Sequence, residues 1–147
     1  MGWDIISGEE AGLWTAAQIG TAFLPYAEVC IGLRRRGEFV AGVIYEDWNG
    51  KSIVTHIAIK GCMTSKYLAA IFHYPFVTCN AHKIIAPVCA DNARSIKMVK
   101  NMGFEVEATL KDAAPNGDIL IFTMTKANCR FLKERHGKEE TRPAAAD

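Results

Sequence analysis

Residues 83–104 read Lys-Ile-Ile-Ala-Pro-Val-Cys-Ala-Asp-Asn-Ala-Arg-Ser-Ile-Lys-Met-Val-Lys-Asn-Met-Gly-Phe, and no other segment constrains the architecture as tightly. The first seven residues are apolar and β-branched enough for a strand, and Ala90-Asp91-Asn92 breaks the run. From Ala93 to Met102 the period changes to that of a helix, with Ile96, Val99 and Met102 on one face. Asp91 or Asn92 can cap its first turn, and Gly103 suits a left-handed C-cap before the chain re-enters a strand at Phe104. A strand that ends where a capped helix begins is also where α/β sheets gather ligands, because free N–H groups and the helix dipole converge there.

Before this segment, the pattern predicts a short strand over 3–6, a helix over 9–23, and strands over 28–35, 39–47 and 52–59. Arg36-Gly37-Glu38 and Trp48-Asn49-Gly50-Lys51 supply the turns, so these three strands form an antiparallel meander. Thr64 or Ser65 can cap a helix that runs toward Phe76, with Pro75 near its end. Phe72, Tyr74 and Phe76 are expected to close the core beneath the sheet. After residue 104, strands over 104–111 and 118–125 flank the turn Ala114-Pro115-Asn116-Gly117. The resulting order, β-α-β-β-β-α-β-α-β-β, is that of an α/β protein of the α+β mixed-sheet kind, with helices packed on a sheet that combines a meander with a central parallel pair. Residues 1–132 are expected to form a single domain, and 133–147, charged and then rich in Pro and Ala, a flexible tail.

Seventeen basic and 16 acidic residues leave a net charge of +1, so bulk electrostatics argues for neither nucleic acid nor membrane as partner. The run Arg34-Arg35-Arg36 flanks a turn, where strand alternation sends its members to opposite faces. Five cysteines, at 30, 62, 79, 89 and 129, are odd in number and never spaced C-x-x-C, which fits reduced thiols better than a disulfide framework or a metal finger; no metal site is expected. No apolar run approaches the ~20 residues of a membrane span, and Met1-Gly2-Trp3-Asp4 has no basic leader character. A cytoplasmic location is the expectation.

The element order, together with Asn92-Ala-Arg94-Ser95 and Met98 through Gly103-Phe104, resembles the GNAT superfamily of acyl-CoA-dependent N-acetyltransferases. The helix of that family reads N-x-R-A-x-x-L-Y-x-x-x-G-F, and the resemblance covers roughly residues 28–130. Residues 105–111 and 117–124 are similar to the Rim-type branch that acylates protein N-termini. His56-Ile57-Ala58, Tyr74-Pro75-Phe76 and Cys129-Arg130-Phe131-Leu132 resemble a small bacteriophage branch. The resemblance implies acetyl-CoA, or another acyl-CoA, as cofactor. It implies that the backbone of Ile57, Ala58 and Ile59 binds the thioester and pantetheine. Lys60, Gly61, Cys62, Met63, Thr64, Ser65 and Lys66 occupy the place of the pyrophosphate loop, and Asn92 and Ser95 face the cofactor from the helix. Two departures stand out: the loop has one glycine and lacks the family's R/Q-x-x-G-x-G/A, and Val99 replaces a Tyr that often protonates the leaving thiolate.

An alkyl ammonium with a pKa of about 10 must lose a proton before it attacks a thioester, so a base or a water wire is required. His56, on the third meander strand, is the foremost candidate. Glu46 and Asp47 at the end of the preceding strand are the alternatives. Cys62 in the loop is a lone thiol without a matched histidine. The expected activity is N-acyl transfer from acetyl-CoA to a primary amine by direct attack in a ternary complex. The expected partner is an amine-bearing small molecule or protein, with a homodimer as a further assembly. The alternatives are a catalytically weakened binding or virion-associated module and a Mom-like nucleic-acid-modifying enzyme.

Overall fold

The computed structural model describes residues 2–132. Trp3–Ser7 (β1), Glu9–Ile19 (α1), Val29–Arg35 (β2), Glu38–Glu46 (β3), Ser52–Ile59 (β4), Ser65–His73 (α2), Lys83–Cys89 (β5), Ala93–Met102 (α3), Glu105–Ala114 (β6) and Gly117–Thr125 (β7) follow one another along the chain. The seven strands form one sheet in the order β1-β2-β3-β4-β5-β7-β6. β4 and β5 pair in parallel through the α2 crossover, and every other neighbour is antiparallel. The expected tail at 133–147 lies outside the described residues, among which no helix is long and apolar enough to cross a membrane.

Local chemistry explains most element ends. Arg36 and Gly37 both have positive φ, 54° and 84°, the twist that a two-residue hairpin between β2 and β3 requires. Asn49 Oδ1 accepts from the N–H groups of Lys51 and Ser52, so the Asn-Gly turn is held by its own side chain. Thr64 caps α2 by accepting from Tyr67 N at 3.0 Å, and Asn92 caps α3 by accepting from Ser95 N at 3.1 Å. Gly103 stops α3 at φ 108°.

Two boundaries differ clearly from expectation. The helix foreseen over 9–23 ends at Ile19, because Gly20 adopts a left-handed C-cap at φ 79° and returns its N–H to Ala16. Phe23, apolar and spaced as if helical, instead folds back onto Gly12, where a Cβ would stand 2.5 Å from its ring. β6 also runs three residues beyond the expected strand, to Ala114.

The sheet separates two cores. On one face α2, the wide helical turn Tyr74–Thr78 that follows it, and α3 bury Tyr67, Ile71, Phe72, Phe76, Val99 and Met102 against Val43, Tyr45, Ile53, Ile84 and Phe122. Buried hydroxyls there are satisfied: Tyr67 donates to Ile31 O at 2.7 Å and Tyr45 to Ile71 O. Burial drives the Tyr45 and Tyr67 phenols far above the ordinary tyrosine range, so neither offers a proton at neutral pH. Phe72 and Phe76 lie in this core as expected, with Tyr74 partly buried at its edge. On the other face α1 packs Ala11 and Ala16, and the turn after it packs Phe23, over Cys30 and Ile44.

Candidate functional site

β4 and β5 do not remain paired along their lengths. The parallel ladder holds Ser52 to Lys83, Ile53 to Ile84 and Val54 to Ile85, then ends, while β4 stays on β3 through Ile59 and β5 stays on β7 through Cys89. Thr55 sits buried in the crotch of this fork and reaches Ile85 O at 3.4 Å. Pro87, which has no N–H to give a ladder, falls on the arm that has diverged. Beyond the fork, backbone groups of β4 that point away from β3 face a gap rather than a strand.

The gap is a cleft. A cavity of about 400 Å³ is lined by Glu28, Glu46, His56, Ile57, Cys89, Asn92, Ser95 and Val99 among others, and a second of about 630 Å³ by Ile57, Ala58, Ile59, Lys60, Asn92, Arg94 and Ser95. They share Ile19, Ile57, Asn92, Ser95 and Met98, so they are two ends of one groove that passes through the sheet from the α1 face to α3. The ends differ in charge: carboxylates at one, Lys60 and Arg94 at the other.

At the acidic end His56 Nε2 and Glu46 Oε2 lie 2.6 Å apart, with side chains 30% and 27% exposed, shielded yet in contact with water. Strand register explains the pair, because His56 faces Ile44 across the ladder and Glu46 faces Val54, a diagonal step on one face. Glu28 joins them. The register of β2 on β3 sets Val29 against Tyr45, and one step further Glu28 meets Glu46. Burial and the neighbouring Glu46 raise the Glu28 pKa against the hydrogen bond that its Oε1 accepts from Leu24 N at 2.9 Å. Glu46 moves the other way: burial pushes it up, but the hydrogen bonds from His56 and Glu28 outweigh this and hold it below the usual carboxylate range.

At the basic end the loop after β4 is partly committed. The N–H groups of Lys60 and Gly61 donate to Val40 O at 2.7 and 3.3 Å, and that of Tyr67 to Thr64 Oγ1, which leaves Ser65 and Lys66 in the first turn of α2 as backbone donors. Arg94 Nη2 donates to Ile59 O at 3.2 Å and ties α3 to the end of β4.

The structure thus brings together His56, Glu46, Ile57, Ala58, Ile59, Lys60, Asn92 and Ser95 around one cleft. Met63 lines a separate hollow between α2 and α3 with Arg94, Lys97 and Arg130. Gly61, Cys62, Thr64, Ser65 and Lys66 line neither end of the cleft. Asp47, the other carboxylate considered as a base, also does not line it. Sequence reasoning passed over Glu28, Cys89 and the structural tie made by Arg94. The turn alone does not reveal Glu28: the two-residue turn at 36–37 would set it opposite Tyr45, and a bulge in the ladder between Leu33 and Arg34 shifts it opposite Glu46. Val99 lines the cleft and is buried, so at this position the wall is methyl groups.

Residues 25–120 match the family model described as an acetyltransferase (GNAT) domain. No curated protein matches the sequence. Among solved structures, an N152L mutant of a spermidine N-acetyltransferase from Vibrio cholerae superposes with a TM-score of 0.70 at 14% identity, covering 90% of this chain and 98% of that one. An acetyltransferase from Salmonella typhimurium solved with acetyl-CoA gives 0.64 at 12% identity, over 85% and 94%. An N-acetyltransferase from Campylobacter jejuni gives 0.54 at 13%, over 68% and 69%. At these identities the structural likeness speaks for the fold, whereas the family model covers well over half of the sequence. The chain belongs to the GNAT family of acetyltransferases.

Proposed function

We propose that the protein transfers an acetyl group from acetyl-CoA to a primary amine, with both substrates bound at once in the cleft between β4 and β5. The observation that carries this reading is the cleft's polarity: cationic side chains at one end and carboxylates beside a histidine at the other, joined by an unpaired strand edge. GNAT acetyltransferases use acetyl-CoA, and the residues present fit it. Lys60 and Arg94 in the cleft wall suit phosphate groups, and the N–H groups of Ser65 and Lys66 at the start of α2, outside that wall, suit a phosphate that projects beyond it. The open edge of Ile57, Ala58 and Ile59 suits an extended amide-bearing arm and supplies N–H donors to a carbonyl oxygen.

When bound, acetyl-CoA supplies the acetyl group as a thioester, so that a C–N bond forms as the C–S bond breaks and the sulfur leaves to become CoA-SH. His56 takes the proton of the incoming ammonium. Glu46 accepts from Nε2–H, which fixes the tautomer and leaves Nδ1 as the acceptor. Val99 offers no proton to the departing sulfur. A thiol with a pKa of about 8.5 leaves readily near neutral pH, so water in the open cleft suffices to protonate it and to take up the second proton that the nitrogen loses as the amide forms. The likeness of residues 105–111 and 117–124 to the Rim-type branch adds protein N-termini to the acceptors worth assaying. A donor made inside cells agrees with a cytoplasmic setting, as do the free cysteines among the described residues.

Calorimetric titration of acetyl-CoA tests the binding half of this reading. Micromolar affinity that falls about tenfold in Arg94→Gln, and that weakens with salt, is expected; absence of binding at millimolar cofactor contradicts it. Asn92 is separable from its role as a cap. Asn92→Ser retains a good N-cap, so the melting temperature should hold while acetyl-CoA affinity drops several-fold. Parallel loss of stability and affinity in Asn92→Ser would reduce Asn92 to a cap.

A further inference from the structure

We infer that Glu28 sets the acceptor class: the cleft takes aliphatic amines that arrive as ammonium ions and carry no carboxylate along the chain that enters it. This rests on the acetyl-transfer reading above.

The argument begins with the cleft rather than with its acids. Its acidic end is a walled cavity of about 400 Å³, and the walls beside the carboxylates are aliphatic, from Ile19, Ala22 and Ile44. Among the described residues no Lys or Arg side chain lines that cavity. Within it Glu28 stands opposite Glu46 in the continued β2–β3 register, and like charges placed directly opposite across a ladder repel. Among the described residues no lysine or arginine pairs with Glu28. His56 is engaged by Glu46, and Arg34, on the same strand as Glu28's neighbours, faces Asp4 and Glu10 and lies over the Phe39 ring.

Glu28 is nonetheless held in place. Its Oε1 accepts from Leu24 N, and its own N–H donates to Leu24 O at 2.9 Å, so the turn between α1 and β2 fixes the carboxylate against the cavity. A fixed pair of carboxyl groups with methylene-compatible walls and no lysine or arginine among the described lining residues is complementary to an alkylammonium. It is anti-complementary to a carboxylate, whose charge would be desolvated beside two others. The raised Glu28 pKa, set first by burial and then by the neighbouring Glu46, agrees with this, and a bound cation relieves both. Conflicts of this kind between local stability and site chemistry concentrate where ligands bind.

Three acceptors of equal chain length isolate the charge at the far end: 1,4-diaminobutane, 1-aminobutane and 4-aminobutanoate, assayed by CoA thiol release with acetyl-CoA. The expected order of kcat/KM is diamine, monoamine, amino acid, with at least about tenfold between first and last. Glu28→Gln keeps an acceptor for Leu24 N and places an amide donor toward Glu46, so it should fold. It should shrink the diamine-to-aminobutanoate ratio by about tenfold, through KM for the amine, with KM for acetyl-CoA unchanged. Relief of the repulsion should also leave its melting temperature equal to or above wild type. A wild type that acetylates 4-aminobutanoate as well as the diamine overturns the inference, as does an unchanged ratio in Glu28→Gln. A protein that binds acetyl-CoA yet acetylates none of the three also overturns it. A protein that does not bind acetyl-CoA overturns the reading beneath it as well, so the two failures are distinguished by the cofactor titration.

Discussion

His56→Ala is expected to lower kcat by about two orders of magnitude or more, the usual worth of a positioned general base, while acetyl-CoA affinity stays within about twofold of wild type. The separation follows from geometry. His56 lies at the acidic end of the cleft, in a 2.6 Å contact with Glu46, whereas Lys60 and Arg94 stand at the other end. Glu46→Gln should cost less, about tenfold, because the imidazole remains but the partner that fixes its tautomer no longer accepts a proton bond with full charge. Measured kcat, KM for amine and calorimetric Kd for acetyl-CoA decide the matter. If His56→Ala turns over normally, the base is elsewhere; if cofactor affinity falls with kcat, the ring is a structural wall.

The second large effect concerns the face that carries the acidic end. A Cβ added at Gly42 would stand 1.8 Å from Thr15 Oγ1 and 3.0 Å from its Cβ, and Thr15 is buried under α1 with its hydroxyl bonded to Ala11 O at 2.8 Å. Gly42→Ala therefore drives α1 from the sheet, at an expected cost of about 3 kcal/mol and a fall in melting temperature of roughly 10 °C for a domain of this size. Since α1 brings Ile19 to the cleft, the amine KM should rise as well. Thr15→Ala alone should cost about 1 kcal/mol for the lost buried contacts. Combined with Gly42→Ala it should recover stability relative to Gly42→Ala, since the clashing oxygen is gone. Strict additivity of the two changes in thermal melts would contradict the close approach.

The fold was legible wherever periodicity and turn chemistry agreed. Residues 83–104 carry strand, cap, helix and glycine stop in series, and the structure places them as β5, α3 and the entry to β6. The meander followed from Arg36-Gly37 and Asn49-Gly50. The end of α1 was less legible, because Phe23 keeps helical spacing while Gly20 stops the helix; its apolar ring is satisfied by folding over Gly12. The fork was legible only in part: Pro87 cannot donate to a ladder and falls where β5 has diverged, but nothing in Ser52–Ile59 marks residue 54 as the last paired position.

The site shows the same division. His56 and Glu46 were accessible from strand alternation, and the structure adds their contact. Glu28 was not, because counting across the hairpin sets it opposite Tyr45 and no residue pattern marks the bulge between Leu33 and Arg34 that moves it opposite Glu46. The loop at 60–66 was legible only as a place. That Lys60 and Gly61 spend their amides on Val40, leaving the first turn of α2 as donor, depends on β3 lying beside the loop.

Amine-dependent acetyl transfer within the cleft is tested most directly by mixing stoichiometric protein and acetyl-CoA labelled in the acetyl group, with and without 1,4-diaminobutane. CoA thiol release and the fate of the label are followed together. Direct attack in a ternary complex predicts thiol release only when amine is present, in step with one N-acetylated amine per thiol and with no label retained on the chain. Release without amine, with the label carried on the protein, or no release at all from the bound cofactor, would contradict it.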